Sequence, residues 1–137
     1  MFVSNTIRAN GLTQHYFRTG GAKRPLVLLH GFTDDASCWF PVAASLADRY
    51  DLILPDARGH GQSSRIAGLG LDNEALAEDV AGLISALNLH RPAVLGHSMG
   101  AFTALILAAR HPELVGCLLL EDPPLAPPPT PEMEAAR

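Results

Sequence analysis

Apolar residues in this chain fall into two kinds of run. Continuous short ones occur at 25–29, 51–54, 93–95 and 116–120, as expected of parallel strands buried on both faces. Longer ones follow helical spacing. Segment 71–87 is the clearest, with Leu76, Val80, Leu83 and Leu87 forming one stripe and Asp72 in the N-cap position. Glu74, Glu78 and Asp79 are expected on its solvent side. Segments 37–49, carrying Trp39, Phe40 and Leu46, and 101–109 read as two further helices. Residues 2–17 read as an antiparallel edge hairpin that turns at Asn10-Gly11, a dipeptide suited to positive φ. Strands alternating with helices predict βαβ units, hence an α/β fold with a mostly parallel sheet. There is no internal repeat.

Composition narrows the partners. At 137 residues the chain suits one domain with a modest core. A net charge of −4, spread along the chain, provides no basic patch for nucleic acid. The start Met1-Phe2-Val3-Ser4 runs into polar residues and does not read as a secretory leader. The apolar run around 105–107 is too short to span a bilayer, so no membrane association is expected. Cys38 and Cys117 lack metal-ligand spacing and are expected to be reduced and buried, which favours the cytoplasm.

Candidate chemistry is concentrated at the ends of three strands. Gly96-His97-Ser98-Met99-Gly100 sits between the apolar run 93–95 and the helical run 101–109. Ser98 therefore falls where a strand turns sharply into a helix, the context of a nucleophile elbow. Glycine on either side lets strand and helix approach closely. The helix start also faces the serine with free N–H groups and its positive end. Upstream, the run 25–29 ends in His30-Gly31-Phe32-Thr33, where Gly31 allows close approach of a ligand. The run 51–54 leads into Asp56-Ala57-Arg58-Gly59-His60-Gly61-Gln62-Ser63, a loop whose glycines permit a tight turn at the carboxyl edge of the sheet.

These three segments together resemble the α/β-hydrolase superfamily, in its esterase and lactonase-like branch, over roughly residues 12–122. The resemblance implies a partial α/β-hydrolase fold: a parallel-rich sheet, an N-terminal antiparallel hairpin and flanking helices, stopping after about the sixth strand. It implies Ser98 as nucleophile and an oxyanion hole made by the amides of Phe32 and Met99. Gly31 and Trp39 are the candidate substrate-binding residues, although Trp39 and Phe40 equally suit core packing. No metal or cofactor is called for. Serine at position 98 suits acyl transfer from an ester, lactone, thioester or C–C bond next to a carbonyl, whereas aspartate there would favour displacement at saturated carbon.

The superfamily order is serine, acid, histidine. Asp122, or Glu121, at the end of the run 116–120 is the candidate acid, against a plain role in ordering the turn. No histidine is a strong base candidate. His97 is expected to pack behind the strand, His30 and His60 to brace backbone, and His111 to cap the helix after Ser98. His15 and His90 carry no functional reading. Residues 1–122 thus read as the amino-terminal part of a hydrolase core. Residues 123–137 read as a proline-rich connection into a lid helix starting at Thr130-Pro131-Glu132. On this reading the chain takes a small-molecule ester or acyl substrate and pairs with a complementing carboxyl-terminal half or with itself. The alternative is a non-catalytic homologue that associates through an exposed sheet edge.

Overall fold

The computed structural model describes residues 1–65 and 72–126. Six strands form one sheet: β1 Val3–Ala9, β2 Leu12–Arg18, β3 Arg24–Leu29, β4 Tyr50–Pro55, β5 Ala93–His97 and β6 Cys117–Glu121. Their order across the sheet is β1-β2-β4-β3-β5-β6. The β1–β2 and β2–β4 pairs are antiparallel, and β4–β3, β3–β5 and β5–β6 are parallel. This is the partial α/β-hydrolase fold anticipated above. The hairpin turns at Asn10 (φ 49°) and Gly11 (φ 74°), both in the left-handed region that a two-residue turn requires.

Strict alternation along the central strands divides the core into two layers. Val27, Leu29, Ile53 and Val94 point toward α2 (Asn73–Ala86) and α3 (Met99–Arg110), where they meet Val80, Leu83, Ile84, Ala104 and Leu107. Leu26, Leu28, Leu52 and Leu54 point the opposite way, onto Trp39 and Ala43 of the shorter helical segment. Burial on both faces is why these strands appear in the sequence as unbroken apolar runs.

The helix expected over 37–49 is a 3-10 turn, Ala36–Trp39, followed by α1, Phe40–Leu46. Asp35 caps the 3-10 turn through Ser37 N, and Pro41 in the first turn of α1 marks a fresh start. Asp72 does cap α2, accepting from Glu74 N, while residue 71 lies outside the described residues. Asp79 is not on the solvent side: it is buried, because Arg58 and Asn10 reach it from two separate loops. Cys38 and Cys117 are free but exposed rather than buried. Cys117 lines the open groove on the α1 side, and Cys38 lies in the 3-10 turn. The expected lid-helix start at residues 130–132 lies outside the described residues.

Candidate active site

Ser98 occupies the junction of β5 and α3 with φ 51° and ψ −113°, a conformation costly for any residue with a Cβ. Its surroundings impose the turn. A Cβ on Gly96 would lie 2.2 Å from the Gly100 carbonyl oxygen, and one on Gly100 would lie 2.2 Å from that of Leu29. Both contacts are with backbone, so neither neighbour can yield cheaply. Glycine at both positions lets β5 and α3 fold back on each other and seats α3 against the end of β3. The register of β5 with β6 then places His97 opposite Glu121, and Ser98 N–H donates to Glu121 O at 2.9 Å.

Ser98 is also the N-cap of α3, where serine ordinarily spends its hydroxyl on the first turn. Here it makes no side-chain capping bond. The hydroxyl is left available, and the adjoining Met99 amide lies in the first turn, where N–H groups lack intrahelical acceptors. Ser98 itself is half-buried.

The segment 30–34 is fastened beside this turn from three directions. Asp34 N donates to Gly31 O at 3.2 Å, closing a tight turn that contains Phe32. Gly31 is pressed against the imidazole of His97, since a Cβ there would lie 3.1 Å from its Nδ1. His97 thus packs on the neighbouring loop. His30 is 2% exposed, and its Nε2 accepts from Ala57 N at 3.0 Å. Its proton is therefore on Nδ1, donated to Gly31 O at 2.8 Å. Burial pushes the His30 pKa down and keeps the ring neutral, as that tautomer requires. Finally, His60 places Nε2 2.7 Å from Phe32 O and Nδ1 3.0 Å from Arg58 O. Both rings brace backbone, the role their positions suggested.

The loop 56–64 is built on Asp56. Its carboxylate accepts from Ala36 N at 2.8 Å and Gln62 N at 2.9 Å, and contacts His15 Nδ1 at 2.7 Å. Ser63 Oγ donates to Asp56 O and accepts from His15 N. Gly61 sits at φ 48°, where a Cβ would fall 2.2 Å from the Asp56 carboxylate. Arg58 forms two hydrogen bonds with buried Asp79, at 2.6 and 2.8 Å. The His15–Asp56 and Arg58–Asp79 contacts leave no signal in the sequence, because their partners are separated by 41 and 21 positions.

The remaining candidates are dispersed. Asp122 follows β6, exposed and at φ 48°, one residue past the carbonyl that receives Ser98 N–H. Trp39 is 7% exposed within the α1-side core, and its Nε1 is buried without a hydrogen-bond partner. Phe32 is 60% exposed. His111 closes α3 and bonds Glu78 of α2 at 3.0 Å. Among the described residues, no cluster of side chains suits a metal ion and no helix is long and apolar enough to cross a membrane.

Comparison with known proteins agrees with this geometry. A family model described as alpha/beta hydrolase fold matches residues 24–137. N-formylmaleamate deformylase of Pseudomonas putida is 39% identical over 126 residues, covering 92% of this chain and 47% of the relative. A soluble epoxide hydrolase from a Corynebacterium species is 37% identical over 113 residues, covering 82% of this chain and 39% of the relative. Among solved structures, a membrane phospholipase A described as a bacterial virulence factor superposes with TM-score 0.88 at 32% identity. That match covers 94% of this chain and 42% of the other. The chain therefore spans about half the length, or less, of the proteins it matches. Strand order, the strained serine between two glycines and a family match over most of the chain agree: this protein belongs to the alpha/beta hydrolase family.

Proposed function

We propose that this chain carries the nucleophile and the oxyanion-binding groups of a serine hydrolase that cleaves a carboxylic ester, lactone or related acyl bond. The observation that carries the reading is Ser98, held at φ 51° as an N-cap whose hydroxyl caps nothing. Its Oγ attacks the carbonyl carbon, and the oxyanion is received by the N–H groups of Met99 and Phe32, giving an acyl-enzyme on Ser98. Fixed donors of this kind are worth about 3 kcal/mol each in barrier height. The His60 and Gly31 contacts keep the Phe32 peptide in place for that role. Asp122 is the candidate acid. Serine, not aspartate, at position 98 favours acyl transfer over epoxide opening. The relatives named as a deformylase and a phospholipase A fit the same preference, and the one named as an epoxide hydrolase does not.

The base is proposed to come from a complementing carboxyl-terminal half. His15, His30, His60 and His111 have ring nitrogens committed to other partners. The 137-residue chain alone is accordingly expected to show little turnover of a short-chain aryl ester. A fluorophosphonate probe, with labelled peptides mapped by mass and Ser98→Ala as control, tests the reading. Slow labelling at Ser98 in the chain alone is expected. Fast labelling is expected when the chain is fused to the carboxyl-terminal part of N-formylmaleamate deformylase. Absence of Ser98 labelling in a folded fusion would overturn the nucleophile assignment. Robust turnover by the chain alone, lost in Ser98→Ala, would overturn the external base.

A second reading rests on one observation. Beyond β3 on the α1 side, Leu26, Leu46, Leu95, Cys117 and Leu119 line an open groove of about 960 Å³. Leu119 and Leu120 of β6 are 47% and 39% exposed. Such an edge also serves a non-catalytic chain that pairs with another polypeptide.

A further inference from the structure

The β1–β2 register sets Ser4 opposite Phe17 and Thr6 opposite His15, so Ser4 and His15 are diagonal neighbours on one face of the hairpin. Ser4 Oγ lies 2.8 Å from His15 Nε2, and His15 Nδ1 lies 2.7 Å from Asp56 Oδ2. The Asp56 carboxylate is acceptor to Ala36 N and Gln62 N as well, so the hydrogen shared with the imidazole belongs to Nδ1. That leaves Nε2 as the acceptor for the Ser4 hydroxyl proton. Phe17 holds the ring edge to face at 4.8 Å. His15 is 1% exposed and Asp56 4%, whereas Ser4 stands exposed on an edge strand. A buried carboxylate, an oriented imidazole and an accessible hydroxyl are thus connected in series, in the arrangement by which serine is activated on unrelated folds.

We propose that Ser4 is a second nucleophilic serine of this protein, one that takes an acyl group from small activated esters. Ser4 Oγ forms the new bond to the carbonyl carbon while its proton passes to His15 Nε2. The bond from that carbon to the aryloxide breaks, the aryloxide leaves with the electron pair, and the proton on Nε2 passes to it. The products are an acyl-Ser4 ester, a phenol and a neutral His15. Ser98 takes no part. If instead Ser4 only closes a polar chain at the sheet edge, the hydrogen bonds are the same but no excess reactivity follows.

The test uses the Ser98→Ala chain, which silences the site proposed above. It is treated with p-nitrophenyl acetate, digested, and its acetyl groups located by mass. Ser37 and Ser45 serve as internal references: both are exposed, and their hydroxyls donate to Asp35 and to the Val42 carbonyl. Acetylation of Ser4 is expected to exceed both by at least about tenfold, a threshold set below the roughly hundredfold or more that a positioned base supplies. The excess should vanish in His15→Gln and in the same chain unfolded by urea, a condition that decides the matter even if His15→Gln does not fold. Equal acetylation of the three serines overturns the proposal. So does an excess that persists in urea, or in a folded His15→Gln variant.

Discussion

Ser98 N–H donates to the carbonyl of Glu121 across 2.9 Å, tying the strained turn to the last strand of the sheet. The same turn is held from the other side by Gly100 against Leu29 O. The serine is thus clamped between β3 and β6, strands that flank β5 on either side. Its geometry depends on residues far away in sequence, and strain held this way has measurable consequences.

Replacing Ser98 tests that strain directly. A residue with a Cβ at this φ and ψ costs about 1–3 kcal/mol, a cost glycine avoids. Ser98→Gly is expected to be more stable than Ser98→Ala by about 1 kcal/mol in urea denaturation. Equal midpoints would mean that the turn stores no strain.

Gly100→Ala separates crowding from conformation. Its Cβ would fall 2.2 Å from one backbone oxygen and 2.8 Å from another, so strand and helix must part. A loss of at least about 3 kcal/mol is expected, or no soluble protein. Gly59, at φ 75° with nothing within 4 Å of a Cβ, is the control. Its alanine variant should lose only about 1 kcal/mol. Similar losses at the two positions would refute the steric explanation.

Arg58→Ala leaves Asp79 buried with Asn10 as its side-chain donor. Removing one partner of a buried pair costs about 3–5 kcal/mol, and the Asn10 contact places this case near about 3. Arg58→Lys should recover only part of it, since one ammonium cannot reproduce the two-pronged contact. Full stability in Arg58→Ala would show that the pair is dispensable.

Acid should destabilise the fold in two stages. The His30 pKa is lowered from 6.5, mainly by burial, so below that pH the unfolded chain binds a proton the folded chain resists. Stability from this group is flat above 6.5 and falls as pH drops toward the folded value. Asp35, lowered from 3.8 through its bonds with Ser37, and Glu78, lowered from 4.5 through His111, act at lower pH. Their stabilisation is present above the unfolded values and disappears as pH falls through the folded ones. Urea midpoints between about pH 7.5 and about pH 5.5 should therefore decline, and His30→Gln should flatten the decline. An undiminished slope in that variant would exclude His30 as its source.

The Cys38 thiol is pushed up to about 11, first by desolvation and then by Asp34 and Asp35. Alkylation by iodoacetamide near about pH 8 should run at least about tenfold slower at Cys38 than in a small unhindered thiol, because the thiolate is the reactive form. Exposure alone would predict parity, so comparable rates would remove the electrostatic explanation.

Where chemistry depends on neighbours in the chain, it was legible in the sequence. Gly96 announced the turn because the crowding it relieves comes from Gly100 and Ala101 of the helix that follows, whereas the crowding at Gly100 comes from Leu29 and His30 at the end of another strand. Asp72 was readable as a cap, and Asn10-Gly11 as a hairpin, for the same local reason. The burial of Asp79 was not readable. Helical spacing near Glu78 places it on the wet side, and only Arg58 and Asn10, arriving from separate loops, make its burial tolerable. Cysteine favours the interior by type, yet both thiols are exposed, Cys117 in the open groove on the α1 side.

The order of strands and helices, the two-sided burial of the central strands and the position of the serine turn are all written in the local pattern of the chain. Each follows from periodicity and backbone sterics, which act over a few residues. Only folding brings His15 to Asp56 and Ser4, Arg58 to Asp79, and His60 to Phe32 O. These are polar contacts across loops and strands, set by sheet register and helix placement. A hydrogen bond of under 3 Å needs two groups brought together in space, and linear spacing encodes no such distance.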